Sequence, residues 1–360
     1  MYLATRLDEA RRVSPLPLIR VAGEVVAIAE EASSGRLTLG DGRVLGVDQA
    51  VLAIGNFPPA DPQVAAGGEV YASLRYAHDP WSPDALELDR REDVLLLGTG
   101  LTMCDVALAL RDLDHRGRIY AVSRRGLLPQ PHRVSAAPPP HLDAPTDLEA
   151  WPDTAIGMLR ALRREVRDKA ADAVDWREVV TSVRADTPAL WQRLGVNERR
   201  RFLERLRPYW ETHRHRSSPE TAFAVESLIA SGALDMIAGR VERYAEAADA
   251  VVVTVRRRGS TSSEELRVGK IINCTGPDTD LARVDDPLVQ GLRRTGLIRP
   301  DPLGLGLDTD EDGRLLDAER RPNECLFLVG PLRKGQLWEN TAVPELRLEA
   351  RRMATLLGVG

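Results

Sequence analysis

The segment that most constrains the fold of this 360-residue chain is 93–126, which reads DVLLLGTGLTMCDVALALRDLDHRGRIYAVSRRG. Its short apolar run, Val94 to Leu97, is typical of a parallel strand that is buried on both faces. A Gly-Thr-Gly turn follows at once, and apolar periodicity predicts a helix from about Leu101 to Leu110. A second strand is predicted from Arg118 to Ser123. This order predicts a βαβ half-unit whose glycine turn and helix N-terminus hold a dinucleotide pyrophosphate.

The predicted pyrophosphate site consists of the turn and the first helical residues, namely Gly98, Thr99, Gly100, Leu101 and Thr102. The first glycine allows a tight turn, and the second lets the backbone approach the phosphates. Met103 replaces the third glycine of the usual GxGxxG pattern. A glycine turn in another kind of α/β protein stays open as the alternative, but the surrounding strands and helix favour the dinucleotide site.

The residues that end the second predicted strand indicate which dinucleotide is bound. A site for NAD usually has Asp or Glu there, which binds the ribose 2′-hydroxyl. This chain has Ser123, Arg124 and Arg125 and no carboxylate at that place. Arginine can form charge-assisted hydrogen bonds to a 2′-phosphate, so the sequence favours NADP(H). The alternative is a pair of solvated arginines.

Composition excludes several classes of protein. A hydrophobic fraction of 43% and a charged fraction of 29% are typical of a soluble globular protein. The net charge of −5 argues against nucleic acid as the main partner. No apolar run approaches the roughly 18 residues of a membrane span, and the N-terminus has no apolar signal core. The expectation is a cytoplasmic protein without a membrane partner.

Neither a metal site nor a redox dithiol is expected. The three cysteines, Cys104, Cys274 and Cys325, form no CxxC pair and fall in predicted core elements. Asp308, Asp310 and Asp312 alternate as in a calcium loop, but the closing acid and the flanking helices are missing.

The remaining pattern predicts, in chain order, a helix over 1–12, strands over 19–29, 36–39 and 44–54, a proline-rich connection over 57–90, a loop over 129–153, helices over 154–232, a hairpin of 250–256 with 266–273, a strand over 325–329 and a helix over 344–357. Within the helical region, Asn197 is a predicted helix cap and Pro208 a predicted helix end. The arginines between 199 and 216 are expected to lie on an exposed helical face, with a ligand-binding patch as the alternative.

Several short strings resemble a two-dinucleotide-binding-domain flavoprotein, in which an NAD(P) domain is inserted into an FAD domain. VLAIGN (51–56) and IINCTGP (271–277) match the two crossings between the domains, and LFLVGP (326–331) matches the closing FAD segment. SRRGLLP (123–129), HRHR (213–216) and GPLRKGQLWENTAVPELR (330–347) resemble a bacterial family of FAD/NAD(P)-binding oxidoreductases.

The resemblance implies an α/β fold with a Rossmann-like NAD(P) domain over 89–276, carrying a helical insertion at about 141–232. This domain is inserted in an incomplete FAD-binding α/β domain formed by 1–88 and 277–360. The resemblance also implies flavin contacts from the closing segment, at Gly330, Pro331, Trp338, Glu339, Asn340, Thr341 and Ala342.

One departure from the family concerns FAD. The family begins with an FAD-binding strand, glycine loop and helix, and nothing before Asp93 supplies this unit. The sequence therefore predicts a truncated chain in which FAD binding is weakened or lost. The sheet of such a domain would have an unpaired edge strand. Pairing of that edge with a second chain, to form an oligomer, is therefore left as an alternative.

The predicted function is an FAD- and NADPH-dependent oxidoreductase that transfers hydride from NADPH to flavin. A flavin monooxygenase-like enzyme is the first alternative, and a non-catalytic NADP-binding remnant is an alternative of another class. The sequence identifies neither the small-molecule substrate nor an acid or base. His213 and His215 are the candidates for contact with substrate, because histidine titrates near neutrality. Two surface histidines among arginines are the alternative.

Overall fold

The computed structural model describes residues 2–31, 34–134, 142–143, 145 and 147–358. Part of the predicted loop 129–153 lies outside these residues. The helices are α1 (Tyr2–Val13), α2 (Leu101–Asp112), α3 (Ala155–Ala170), α4 (Trp176–Ser182), α5 (Thr187–Arg193), α6 (Val196–Arg201), α7 (Arg207–Arg214), α8 (Pro219–Ala230), α9 (Pro287–Arg294) and α10 (Val343–Leu356). The strands are β1 (Val25–Glu31), β2 (Ser34–Leu39), β3 (Val44–Val47), β4 (Ala50–Leu52), β5 (Tyr76–Ala77), β6 (Val94–Leu97), β7 (Ile119–Ser123), β8 (Leu234–Glu246), β9 (Val251–Arg257), β10 (Ser263–Val268), β11 (Lys270–Asn273), β12 (Arg314–Leu316) and β13 (Pro322–Leu328).

The largest sheet has seven strands in the order β10-β9-β8-β7-β6-β11-β5. Strands β5, β11, β6, β7 and the first part of β8 are parallel, whereas β8, β9 and β10 pair antiparallel. The predicted strand, helix and strand of 93–126 are confirmed as β6, α2 and β7. All four residues of β6 are buried, as its unbroken apolar run requires.

Helices α2 and α8 cover one face of this sheet. Met103, Ala107 and Leu110 of α2 are buried together with Val225 of α8 in one apolar cluster. The opposite face carries a second cluster, in which Tyr244 of β8 packs with residues of β6 and β9. Covering both faces fixes the sheet and leaves the carboxyl ends of its parallel strands free at one edge.

A second apolar core lies around a three-stranded sheet in the order β12-β13-β4, next to the antiparallel meander β1-β2-β3. The predicted single strand over 44–54 is therefore wrong. Its first part, β3, pairs with β2, and its second part, β4, pairs in parallel with β13. The two parts are separated at Asp48 and Gln49, and Asp disfavours a continuous strand.

The predicted hairpin is confirmed for β9 and β10 but ends at Val268. The strand that follows, β11, leaves the hairpin and pairs in parallel with β6 on the other side of the sheet. Gly269 makes this change of direction beside Glu92, whose side chain would be 2.2 Å from a Cβ at that position. The predicted pairing partner of residues 270–273 was therefore wrong, although the strand itself is present.

Two details predicted for the helical region are also wrong. Asn197 lies inside α6, whose N-cap is Gly195. Pro208 does not end a helix but stands in the first turn of α7, after a π-helical stretch over Phe202–Leu206. A proline is tolerated there because its missing N–H is not needed in a first helical turn.

No helix in the described part of the chain is long and apolar enough to cross a membrane.

Candidate functional site

The glycine turn after β6 has the geometry that close backbone approach requires. Gly98 has φ +107°, and a Cβ there would lie 2.5 Å from the carbonyl oxygen of Cys274 on the neighbouring strand. Gly100 is the N-cap of α2 and has no side-chain hydrogen bond, and no atom lies within 4 Å of where its Cβ would be. The first turn of α2 therefore presents uncapped amides to open space, which suits a phosphate.

The polar side chains of this turn brace the two strands. The Thr99 Oγ1 lies 2.8 Å from the Ser123 Oγ and donates to the carbonyl oxygen of Leu127 at 2.7 Å. The Ser123 Oγ accepts from the Gly126 N–H at 3.0 Å. These contacts occupy the Thr99 and Ser123 hydroxyls and fix the ends of β6 and β7. The backbone of the turn is therefore the part that can contact a ligand. Of the predicted site residues on α2, Leu101 is exposed and Thr102 is half-buried.

Four arginines gather beyond the end of β7. Burial, together with Arg125, Arg240 and Arg207, lowers the pKa of Arg124. The Arg125 guanidinium lies 5.5 Å from the ring centroid of Tyr209 on α7. The arginine cluster thus consists of Arg124, Arg125, Arg207 and Arg240, and the sequence had indicated only its first two members. Two come from remote elements, α7 and β8, and no local pattern marks them.

One acid partly offsets this positive charge. The Glu211 carboxylate lies 2.7 Å from the Arg207 Nε, an i,i+4 pair on α7. The other three arginines make no ion pair with a described acid, so the cluster keeps an excess of positive charge. An anion such as a phosphate fits that excess.

The segment after β13 is held by a buried ion pair. The Arg333 Nη1 lies 2.9 Å from the Glu349 Oε1, and their side chains are only 4% and 6% exposed. The other oxygen of Glu349 accepts the Gly330 N–H at 3.0 Å and the side-chain amide of Asn340. Gly330 itself has φ +106°, with open space where a Cβ would be. Glu349, on α10, therefore ties together Gly330, Arg333 and Asn340 of the predicted flavin segment.

The predicted flavin contacts divide into buried and open residues. Trp338 is buried and stacks on Trp191 of α5 with ring centroids 4.7 Å apart. Glu339, at φ +72°, accepts a hydrogen bond from the Trp210 Nε1, and its carboxylate lies 2.7 Å from the Arg214 Nε.

These side chains and Asn340 are therefore engaged within the protein. Pro331 is half-buried and Thr341 is exposed. Ala342 is the N-cap of α10 without a side-chain hydrogen bond. Gly330, Thr341 and the open first turn of α10 are thus the parts of the segment that are free to meet a ligand.

The two candidate histidines lie in different surroundings. His213 is exposed, with its Nδ1 2.8 Å from the Tyr209 carbonyl oxygen and its ring edge against Trp176. His215 is half-buried near Glu339, and burial lowers its pKa. The structure therefore brings His215, and not His213, towards the predicted flavin segment.

The arginines between 199 and 216 are not all on an exposed face. The Arg214 side chain is 11% exposed and pairs with Glu339, and Arg199 lies 5.0 Å from the Trp191 ring centroid. The expectation of a solvated face is wrong for these two residues. Arg214 of α7 contacts Glu339 in the closing segment, and Arg199 of α6 contacts Trp191 of α5.

Lys334 is a functional candidate that the sequence pattern did not reveal. Burial, and to a smaller extent Arg207, lowers its pKa to about 8 against the opposing effect of Glu211 and Glu339. Its Nζ lies 4.8 Å from the centre of the Trp338 ring. Only the packing of the helical insertion against the closing segment buries this amine, so no local signal could have identified it.

Two grooves, of about 760 and 510 Å³, lie away from these residues. The larger runs along the end of α9 beside Arg293, Arg294 and Arg299. The smaller lies beside Arg75 and Lys270. Neither is lined by a predicted cofactor residue, and no cluster of metal ligands is present within the described ranges.

Comparison with protein-family profiles and with curated protein sequences finds no match. Several solved structures are similar in fold. The reduced form of ornithine hydroxylase from Pseudomonas aeruginosa has a TM-score of 0.61 and 17% identity, over 99% of this chain and 73% of that one. An ornithine N-hydroxylase from Kutzneria, with reduced FAD, NADP⁺ and L-ornithine, has a TM-score of 0.60 and 15% identity, over 99% and 76%. The bacillithiol disulfide reductase of Bacillus cereus has a TM-score of 0.53 and 14% identity, over 99% and 76%.

At these identities the likeness shows the fold alone. The chain has the mixed α/β fold, with a parallel sheet, of Rossmann-like FAD/NAD(P)-binding flavoproteins. The predicted fold class is thereby confirmed.

Proposed function

We propose that this protein is an FAD- and NADPH-dependent oxidoreductase. The observation that carries the proposal is the pairing of an open glycine turn, at Gly98 and Gly100, with the arginine cluster at the end of the next strand. The turn and the uncapped α2 suit a pyrophosphate, and the arginines suit a 2′-phosphate. Bound FAD would supply the acceptor for the hydride of NADPH.

The likeness to the Kutzneria enzyme supports the choice of cofactors, since that structure is described with reduced FAD and NADP⁺. In this chain we assign NADP(H) to Gly98–Thr102 and Ser123–Arg125, within a domain over 89–276. FAD is assigned to the closing segment, where Gly330, Thr341 and the first turn of α10 remain open. The flanking ranges 1–88 and 277–360 are assigned to the incomplete FAD-binding domain.

We further propose that this chain holds FAD weakly. Within the described ranges, β6 and α2 form the one unit in which a glycine turn joins a buried parallel strand directly to an uncapped helix. Because the arginine cluster lies beside the β6–α2 unit, we assign that unit to NADP(H) and not to FAD. At the closing segment the Gly330 N–H is used by Glu349, so fewer amides are free for a second pyrophosphate.

A flavin monooxygenase is the second candidate function. The two hydroxylases above have TM-scores of 0.60 and 0.61, against 0.53 for the disulfide reductase. The buried cysteines are the other relevant observation, because burial raises the pKa values of Cys104 and Cys274 to about 11 and about 12. A thiol held in this way is a poor redox partner, which favours a monooxygenase over a disulfide reductase.

An absorbance spectrum before and after NADPH, recorded without oxygen and with FAD added in excess over the protein, tests the function. Bleaching of the flavin band by NADPH is the expected result. Peroxide release in air would then identify an oxidase, and a hydroxylated amine would identify a monooxygenase. NADPH binding without any flavin reduction would instead identify a non-catalytic NADP-binding protein.

The preference for NADPH over NADH tests the arginine cluster separately. One charge-assisted hydrogen bond contributes about 1.5–3 kcal/mol, so NADPH should bind at least about tenfold more tightly than NADH. Titration of the wild type and of Arg124→Ala with both nucleotides measures the preference. Equal affinities in the wild type would contradict the assignment of NADPH.

A further inference from the structure

Asp61 and His78 form a hydrogen-bonded pair at the edge of the seven-stranded sheet. The His78 Nδ1 lies 2.9 Å from the Asp61 Oδ1, and the Tyr76 hydroxyl donates to the same oxygen at 2.8 Å. The His78 side chain is 47% exposed and that of Asp61 is 31% exposed. A carboxylate can only accept, so the Nδ1 of His78 carries a hydrogen.

The loop that carries Asp61 is fixed on both sides. The buried Asn273 side chain donates to the Ala60 carbonyl oxygen at 3.0 Å, and the Tyr71 hydroxyl donates to the Pro62 carbonyl oxygen. Asn273 ends β11 and is wholly buried. Asp61 is therefore held rigidly against the carboxyl end of the sheet, which is the way a pre-organised site is supported.

The strand register gives the position of His78 relative to the glycine turn. Ala77 of β5 and Leu96 of β6 both pair with Ile272 of β11, so the three residues lie in one row. Strands are about 4.8 Å apart, which places His78 about 10 Å from Gly98, on the side away from β7.

A dinucleotide bound at this turn must extend to both sides of it. Its pyrophosphate lies at the turn and its adenosine ribose at the end of the second strand, which is β7 here. The nicotinamide half must therefore extend over β11 and β5. His78 stands on that side, with its second ring nitrogen, Nε2, free of described partners.

We propose that His78, oriented by Asp61, binds the nicotinamide half of NADP(H). With the hydrogen fixed on Nδ1, the Nε2 of the uncharged ring is an acceptor and suits a ribose hydroxyl or the carboxamide N–H. Asp61 is the positioning residue, and Tyr76 supports it. This inference rests on the proposed NADPH binding.

Calorimetric titration of the full chain with two probes tests the inference. NADP⁺ contains both halves, whereas adenosine 2′,5′-bisphosphate contains only the adenosine half. His78→Ala should weaken NADP⁺ about fivefold, the typical effect of one hydrogen bond, and leave the bisphosphate unchanged. Arg124→Ala should weaken both probes. His115→Ala, in the turn between α2 and β7 at the amino ends of the parallel strands, is the matched control and should change neither.

Asp61→Asn separates positioning from simple contact. The Asn amide can donate to the Nδ1 of His78 and move the ring hydrogen to Nε2, which removes the acceptor. Asp61→Asn should therefore lose as much NADP⁺ affinity as His78→Ala if the partner is the carboxamide N–H, and less if it is a ribose hydroxyl, which can also accept; the double variant should lose no more than His78→Ala. Tyr76→Phe keeps the Asp61–His78 pair and should have a smaller effect.

The acetylpyridine analogue of NADP⁺, which lacks the carboxamide N–H, identifies the donor. If His78→Ala weakens binding of the analogue as much as binding of NADP⁺, the partner is a ribose hydroxyl. If His78→Ala no longer weakens binding of the analogue, the partner is the carboxamide. Either result supports the inference. It is overturned if His78→Ala leaves NADP⁺ affinity unchanged, or weakens the bisphosphate equally. A wild type that binds neither probe would overturn the proposed function as well.

Discussion

The buried pair of Arg333 and Glu349 gives the sharpest test of how the closing segment is held. Glu349→Gln keeps the size of the side chain but removes its charge. In the native protein the Glu349 carboxylate accepts hydrogen bonds from Arg333, Gly330 and Asn340. Its side chain is 6% exposed. Removing one partner of such a pair leaves an uncompensated buried charge, which costs about 3–5 kcal/mol.

The lower end of that range applies to Glu349→Gln, because the amide oxygen can still accept two of the three bonds, those from the Gly330 N–H and the Asn340 amide. The free energy of unfolding should fall by about 3 kcal/mol, measured by urea denaturation followed through tryptophan fluorescence. Glu265→Gln is the matched control. Its pair with Arg243 is 3.8 Å long and more than half exposed on both sides, so less than about 1 kcal/mol is expected.

A second variant separates lost charge from lost shape. Replacing both charges, as Arg333→Met with Glu349→Gln, leaves no unpaired charge and keeps an acceptor for the Gly330 N–H and the Asn340 amide, so it should cost less than Glu349→Gln alone. The reasoning is refuted if Glu349→Gln costs less than 1 kcal/mol, or if the double replacement is the more damaging of the two.

Three further predictions follow from the same geometry. Gly98→Ala should lower the melting temperature, because a Cβ would meet a carbonyl oxygen at 2.5 Å, whereas Gly100→Ala should keep the melting temperature and lose nucleotide affinity; the reverse pattern would contradict the turn geometry. The folded-state pKa of Lys334 is lowered to about 8 from 10.5, so the unfolded chain binds the extra proton between these values. The free energy of unfolding should therefore rise with pH from 8 to 10.5 by on the order of 3 kcal/mol relative to Lys334→Met, and parallel profiles would refute this. A disulfide reagent at pH 8 should leave the native thiols unreacted and label them only after denaturation, since burial raises the pKa values of all three, Cys104, Cys274 and Cys325.

The nucleotide unit could be predicted from sequence because its signals are local. A buried strand, a glycine turn and an amphipathic helix follow one another within 93–126, and each has its own pattern. Strand β8 was not predicted, although it has 13 residues. It pairs in parallel with β7 first and antiparallel with β9 later, with a bulge between Val241 and Arg243 that breaks the alternation.

The rest of the candidate site depends on contacts between distant segments. Arg214 meets Glu339 across 125 positions of sequence, and Asp61 meets His78 only because β5 joins the edge of the sheet. A single sequence carries no periodicity for such pairs. Pro208 was also beyond prediction from a single sequence. A proline usually ends a helix, but here the π-helical stretch before α7 allows the chain to stay helical through it.

Helix α7 touches the two candidate sites with different faces, and this restricts how the chain can vary in length. Tyr209 faces Arg125, while Trp210 and Arg214, one turn apart, both hold Glu339. Each residue inserted in a helix rotates everything after it by about 100°. One extra residue between Trp210 and Arg214 would turn Arg214 away from its carboxylate without moving Trp210. Chains that share this arrangement should therefore show insertions in the surrounding loops and a constant length from 209 to 214.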